Sequence, residues 1–342
     1  MLTQLQQKIV DAPFDKIVVN AAAASGKTTV LIEKIRQLIK ANINPKEIVA
    51  ITFTNMAANE IKSRLGEDYK QGLFIGTIHS LANQMLLRAG IQTGAVIDDE
   101  KFDQLFPMIK KNPRCIWDVE WLLLDEAQDS NGDQFEFIFE MIKPRCFFVV
   151  GDTRQSIYRW NGSDPSLLRE LSTLPDVRTF SLNENHRNGR NILAYASGYL
   201  TRIHQYDDSI ALRPGGQVIQ SKYDMSKVIK YIGLNPDYKN WAILTRTNGQ
   251  SYDVMDALKF AGVPFDTFKQ GALTREELME KMAANTVKVL TIHSAKGLEW
   301  DNVVVIGLES YSEEEFNVAY VGCTRAKDFL MVMPKPIKRK RY

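Results

Sequence analysis

Two short segments of this chain carry residue types suited to phosphate chemistry. The first is Ala21-Ala22-Ala23-Ala24-Ser25-Gly26-Lys27-Thr28-Thr29, which follows the apolar run Ile17-Val18-Val19 and precedes a helical pattern. Small residues let backbone N–H groups curl around phosphate oxygens, and the start of the following helix adds a favourable dipole. In such a loop Lys27 reaches the β- and γ-phosphates and the Thr28 hydroxyl serves Mg²⁺. Ala21 stands where the general phosphate-loop pattern has its first glycine. The second segment is Asp125-Glu126-Ala127-Gln128-Asp129, directly after the apolar run Leu122-Leu123-Leu124. A carboxylate at the C-terminal tip of a strand beside a phosphate loop is placed to hold the metal, which makes Asp125 the candidate. Glu126 is the candidate to orient and deprotonate an attacking water. Taken singly, each segment has a plain alternative: an alanine-rich helix start, or an acidic turn after a core strand. Their joint presence favours the phosphate chemistry.

Such groups must be delivered by strand ends lying side by side. Short apolar runs at 17–19, 48–53, 122–124 and 147–150 are strand candidates in the first half, and 242–244, 287–290, 303–306 and 329–332 in the second. Several are apolar without alternation, as expected for parallel strands covered on both faces. Helical patterns lie between them; in 28–40, Leu31, Ile35, Leu38 and Ile39 share one face. This order predicts two α/β domains with open parallel sheets. The boundary is expected near 178–180, giving domains 1–180 and 181–334, followed by a basic tail at 335–342. Arg213-Pro214-Gly215-Gly216 reads as a turn, and no short repeat is visible.

The 342 residues are 44% hydrophobic and 25% charged, with net charge +2, which excludes a disordered chain, a collagen-like repeat and a disulfide-rich mini-protein. No apolar run approaches the ~18 residues of a membrane span, and Met1-Leu2-Thr3-Gln4 does not open a secretory signal. The three cysteines are widely spaced, as reduced thiols would be. The expected location is cytoplasmic, nucleoid-associated or viral within a host cell, with no membrane partner. The tail 335–342 holds five basic residues and no acid, so the rest of the chain is slightly acidic. It reads as a solvated run or as an electrostatic arm.

Further motifs follow in order along the chain. Gln6 lies in an N-terminal segment. Thr52-Phe53-Thr54-Asn55 and Gly76-Thr77-Ile78-His79-Ser80 come before the acidic segment. Gly151-Asp152-Thr153-Arg154-Gln155-Ser156-Ile157-Tyr158-Arg159-Trp160 and Asn183-Glu184-Asn185-His186-Arg187 come after it. Then come Leu244-Thr245-Arg246-Thr247-Asn248, Thr291-Ile292-His293-Ser294-Ala295-Lys296-Gly297-Leu298-Glu299 and Tyr320-Val321-Gly322-Cys323-Thr324-Arg325-Ala326. With the phosphate loop and Asp125-Glu126, this series resembles the UvrD/Rep-type superfamily 1 DNA helicases over nearly the whole chain.

The resemblance implies two tandem RecA-like domains with ATP and Mg²⁺ in the cleft between them. Catalysis would fall to Lys27, Asp125, Glu126, the γ-phosphate sensor Gln155 and the arginine fingers Arg187 and Arg325. Nucleotide contacts would come from Gln6 at adenine, Ala22, Ala23, Ala24, Ser25, Gly26, Lys27, Thr28 and Thr29, then His186, Gly297 and Glu299, the last at ribose. Thr28 and Asp125 would bind the metal. Single-stranded DNA would meet Thr52, Phe53, Asn55, Thr77, His79, Tyr158, Trp160, Arg246, Asn248, Thr291, His293 and Ser294. Aromatic platforms and phosphate donors are what such a track needs. Phe53 has a second reading as a core residue, since it shares a strand face with Ile51.

The chain departs from that pattern at several places. His186 replaces an aromatic residue that stacks on adenine, and Thr29 stands where an arginine is common. Asn161 and Phe316-Asn317 replace arginines. Only residues 81–124 and 269–286 occupy the two places where the family inserts helical subdomains. The expectation is a pared-down monomeric motor on single-stranded DNA and its duplex junctions, moving 3′→5′, with an accessory protein supplying missing unwinding parts. The alternative is a non-processive DNA-dependent ATPase acting as a regulatory or protein-displacing module. A P-loop kinase accounts for fewer of the motifs.

Overall fold

The runs expected to be strands are strands in the computed structural model, which describes residues 2–98, 101–268, 273–308 and 312–334. The basic tail 335–342 lies outside the described residues. The chain divides into two compact units: Met1–Ala21 with Gly26–Leu182, and Ala22–Ser25 with the residues from Asn183 onward.

In the first unit the strands are β1 (Lys16–Ala21), β2 (Ile48–Thr52), β3 (Phe74–Thr77), β4 (Trp121–Leu124), β5 (Cys146–Gly151) and β6 (Arg178–Leu182). They form one sheet in the order β3-β2-β4-β5-β1-β6, every pair parallel. Unbroken apolar strands need cover on both faces. Ile17 and Val19 pack on one side with Ile9, Leu31 and Ile35, while Val18 joins Leu81, Met85 and Phe137 on the other. β6 has no apolar run to betray it: Arg178, Thr179 and Ser181 are exposed at the sheet edge. It pairs with β1 as far as Ala21↔Leu182, so the boundary expected at 180 falls inside this strand. Between β3 and β4 lie helices Ile78–Arg88, Gly94–Asp98 and Leu105–Lys111.

The second unit contains β7 (Glu184–Gly189), β8 (Ile210–Arg213), β9 (Gln217–Gln220), β10 (Trp241–Thr245), β11 (Phe265–Asp266), β12 (Val287–Thr291), β13 (Trp300–Leu308) and β14 (Ala326–Pro334). Its main sheet runs β11-β12-β10-β13-β14-β9, also parallel, and β7 pairs with β8. Helices Met225–Leu234 and Asn248–Phe260 bury Val228, Ile232, Val254 and Leu258 against Ile243, Val289 and Val304. The turn expected at 213–216 joins β8 to β9, with Gly215 and Gly216 at φ 74° and 91°. Each unit is thus a RecA-like α/β layer, and the chain is a tandem of two.

Candidate nucleotide and nucleic-acid site

Parallel strands present all their C-terminal ends along one edge, where ligands bind in such sheets. In the first unit β4, β5 and β1 are consecutive, so the turns after them share that edge. Gly26, at φ 90°, precedes helix Lys27–Lys40. A side chain there would be strained, and its Cβ would lie 2.6 Å from Gln6 Nε2. Gln6 is buried, and its Oε1 accepts the Thr3 backbone N–H at 3.0 Å, capping its own helix.

Lys27 is buried, and Thr28 Oγ1 donates to Asp125 Oδ2 at 3.0 Å. Burial, reinforced by the charge of Glu126, pushes the Asp125 carboxyl up to about 7; Lys27 and the Thr28 hydroxyl act against the rise. A buried carboxylate held against a hydroxyl matches one protein face of a magnesium site completed by substrate phosphates and water. Among the described residues no group of three or more His, Cys, Asp or Glu is arranged to hold a metal by itself.

Glu126 adopts φ 52°, and its Oε2 accepts from Gln128 Nε2 at 2.6 Å. Gln128 Oε1 accepts the Asp152 backbone N–H at 2.8 Å. The Asp152 carboxylate accepts from Arg154 Nε at 2.7 Å and from Gln155 Nε2 at 2.6 Å. Burial raises the Asp152 pKa, but the charges of Arg154 and Lys27 and these hydrogen bonds outweigh it and hold the carboxyl below its ordinary range. Gln155, the expected γ-phosphate sensor, therefore stands at one end of a buried polar chain that reaches Glu126.

The same segment continues to Tyr158 and Trp160. Phe53 is exposed rather than in the core, because β2 ends at Thr52. Its ring stacks on Tyr158 with centroids 5.2 Å apart, and Trp160, 69% exposed, meets Tyr158 edge-on at 6.3 Å. These three rings form one partly exposed aromatic surface.

The two units repeat one device where no short repeat is expected. Thr52-Phe53-Thr54-Asn55 follows β2 and Thr245-Arg246-Thr247-Asn248 follows β10; Thr-Ile-His-Ser closes β3 as 77–80 and β12 as 291–294. The registers match: Thr52↔Thr77 in one sheet, Thr245↔Thr291 in the other. The hydrogen bonds match too. Thr52 and Thr245 hydroxyls donate to the Thr54 and Thr247 carbonyls, and Thr77 and Thr291 hydroxyls accept from the Ser80 and Ser294 N–H groups at 3.2 Å each. Asn55 and Asn248 are both exposed at the first turn of a helix. His79 is stacked on Phe106 and lies 3.1 Å from Asp103.

In the second unit Arg187 is paired with Glu299, and its guanidinium also donates to the Thr324 carbonyl at 3.2 Å. Burial raises the Glu299 pKa, but Arg187 and Lys327 overcome this and lower it. Gly297 has φ 88°. Arg325 is buried, with its guanidinium on the carbonyls of Val321 and Leu298. Arg187, Glu299 and Arg325 are thus gathered around the 321–325 turn. His186 has Glu184 at 4.0 Å.

Some expected contacts already have protein partners. Arg246 is held bidentately by Glu315, which raises its pKa. Thr29 accepts from Arg64 at 2.9 Å. Gln128, Asp152, Arg64 and Glu315 escaped the sequence reading. The first two sit inside recognised motifs, but nothing in their spacing showed that their side chains join; Arg64 and Glu315 are ordinary helix-surface residues until the fold is known.

Residues 2–114 and 114–175 match the model of the UvrD/REP helicase N-terminal domain, and residues 268–334 match that of the UvrD-like helicase C-terminal domain. A Mycoplasma pneumoniae protein named "probable DNA helicase" is 25% identical over 97% of this chain and 83% of its own length. The Gabija protein GajB of Bacillus cereus is 26% identical over 76% of this chain and 62% of its own. The ATP-dependent DNA helicase Rep of Escherichia coli is 26% identical over 72% of this chain and 52% of its own, so the chain spans only about half of that relative.

Proposed function

Because the chain belongs to the UvrD/Rep family of DNA helicases, we propose that it is an ATP- and Mg²⁺-dependent motor that tracks along single-stranded DNA in the 3′→5′ direction. The observation that carries the tracking is the duplicated device at the ends of β2 and β3 and of β10 and β12. Two equivalent sets of hydroxyl, imidazole and amide groups give each RecA-like unit its own grip on a phosphate backbone. Contacts of that kind position a strand without reading its sequence.

In this reading ATP binds at the loop between β1 and the helix Lys27–Lys40. Lys27 and the N–H groups of residues 22–28 cradle the phosphates, and Gln6, Thr29 and His186 border the base. Mg²⁺, when bound, neutralises phosphate charge from its place at Thr28 and Asp125. Glu126 orients and deprotonates the attacking water, and Gln155 senses the γ-phosphate. Arg187 and Arg325 bring positive charge to the γ-phosphate, while Glu299 sets the position of Arg187 and meets the ribose. Phe53, Tyr158 and Trp160 hold bases by stacking. The short segments between β3 and β4 and between β11 and β12 leave little to part a duplex, so an accessory protein supplies that function to a monomeric motor. No described helix is long and apolar enough to cross a membrane.

Strand separation on duplexes with a single-stranded tail of either polarity tests this. Turnover-dependent unwinding or protein displacement from 3′-tailed substrates is expected; preference for 5′ tails overturns the polarity.

A further inference from the structure

Arg246 takes the place in the second unit that Phe53 takes in the first. Thr52 and Thr245 each end a strand, and each pairs in register with the threonine that opens a Thr-Ile-His-Ser turn. Phe53 follows its strand with an exposed ring stacked on Tyr158. Arg246 follows with a guanidinium that is already engaged. Its Nε donates to the two carboxylate oxygens of Glu315 at 2.9 and 3.0 Å, and Nη2 donates to Oε1 at 2.5 Å. Glu315 lies in the first turn of helix Glu313–Cys323, where Ser312 Oγ accepts its backbone N–H at 3.3 Å. The Arg246 and Glu315 side chains are only 28% and 21% exposed, so water and salt screen the pair in part. Hydrogen bonds from Arg246 to Glu315 raise the arginine pKa despite burial, and the charges of Glu315 and Glu314 add to the rise. Arg246 is therefore a cation whose charge a carboxylate cancels locally. The guanidinium fork that fits a carboxylate also fits a phosphate.

We infer that Glu315 sets the strength and salt dependence of strand binding by the second unit, by occupying the Arg246 fork that would otherwise take a phosphate. This rests on the role proposed above for the 245–248 turn. The second unit then grips through hydroxyl, amide and imidazole groups, and the first unit has an aromatic ring at the matching place. Neither gains a net ionic contact at this position.

A salt titration reads this directly, because each phosphate neutralised on a single strand adds about 0.7 to the slope of log affinity against log salt. Glu315→Gln removes the charge at almost constant volume, and Glu315→Asp keeps it. Glu280→Gln makes the same change in net charge on helix Arg275–Ala283, which leads into the N-terminal start of β12, away from the strand ends that carry the turns. Oligo(dT) affinity is measured by fluorescence anisotropy across the salt series, with the thermal midpoint as the check on folding. Glu315→Gln is expected to steepen the slope by about 0.7, a gain of about fivefold in affinity over the decade from about 1 M to about 0.1 M salt. Glu315→Asp and Glu280→Gln are expected to keep the parent slope. Glu315→Ala is read by the same criteria if Glu315→Gln does not fold. An unchanged slope or weaker binding in the folded variant overturns the inference and leaves Glu315 a support for the turn. Equal steepening in Glu280→Gln also overturns it, by tracing the effect to net charge. A parent protein that binds no oligo(dT) instead contradicts the proposed function, and so separates the two failures.

Discussion

In the proposed motor Lys27 serves the nucleotide and Trp160 the strand, so their removal should have opposite effects. Lys27 is buried beside the Asp125 carboxylate, where its charge is least screened by water. Lys27→Ala should lower ATP turnover by about 10²-fold or more while oligo(dT) affinity in an anisotropy titration holds. Trp160 is exposed and stacks edge-on against Tyr158. Trp160→Ala should weaken oligo(dT) binding by about 5- to 150-fold, the worth of one stacked base, and leave the DNA-independent rate alone. Individual residues of this kind were the most legible part of the sequence. Lys27, Thr28, Asp125 and Glu126 stand out as candidates because phosphate chemistry tolerates few alternatives. Arg246 shows the limit: its type suggests a phosphate donor, but only the fold reveals that Glu315 holds it.

Between residue and molecule, the turn after β5 is the unit that behaves as one piece. Asp152 is almost inaccessible, and its carboxylate collects Arg154 and Gln155 around itself. Its pKa is lowered in the native state, so its contribution to stability is complete above the ordinary carboxylate range and is lost as pH falls through the native pKa. Asp152→Asn should therefore cost about 1.5–3 kcal/mol at neutral pH, the range for hydrogen bonds to charged groups, and the thermal midpoint should drop by about 5 °C. The deficit should shrink in strong acid, where the wild-type carboxylate is protonated; a deficit that persists there would place its cause outside the charge. Elements with continuous apolar runs, such as β1, β4 and β13, could be read from sequence because burial on both faces demands that composition. β6 could not, since an exposed edge strand built from Arg178, Thr179 and Ser181 carries no such pattern. The joint between Glu126 and Asp152 was equally invisible, because it depends on β4 and β5 being neighbours in the sheet and not on spacing along the chain.

At the scale of the whole molecule, the notable feature is economy: two parallel sheets, each carrying the same Thr-x-Thr-Asn and Thr-Ile-His-Ser pair in the same register. A motor needs a grip in each half and a nucleotide to alternate them. The near-neutral charge is compatible with this, since the proposed grips are mostly hydroxyl, amide and aromatic groups. The central claim is that nucleotide chemistry and strand binding are coupled within one chain. It is tested most directly by the steady-state ATP hydrolysis rate of the purified protein, measured with Mg²⁺ in the absence and presence of saturating single-stranded DNA. Stimulation of about tenfold or more is the predicted result; an ATPase rate indifferent to DNA would contradict the account.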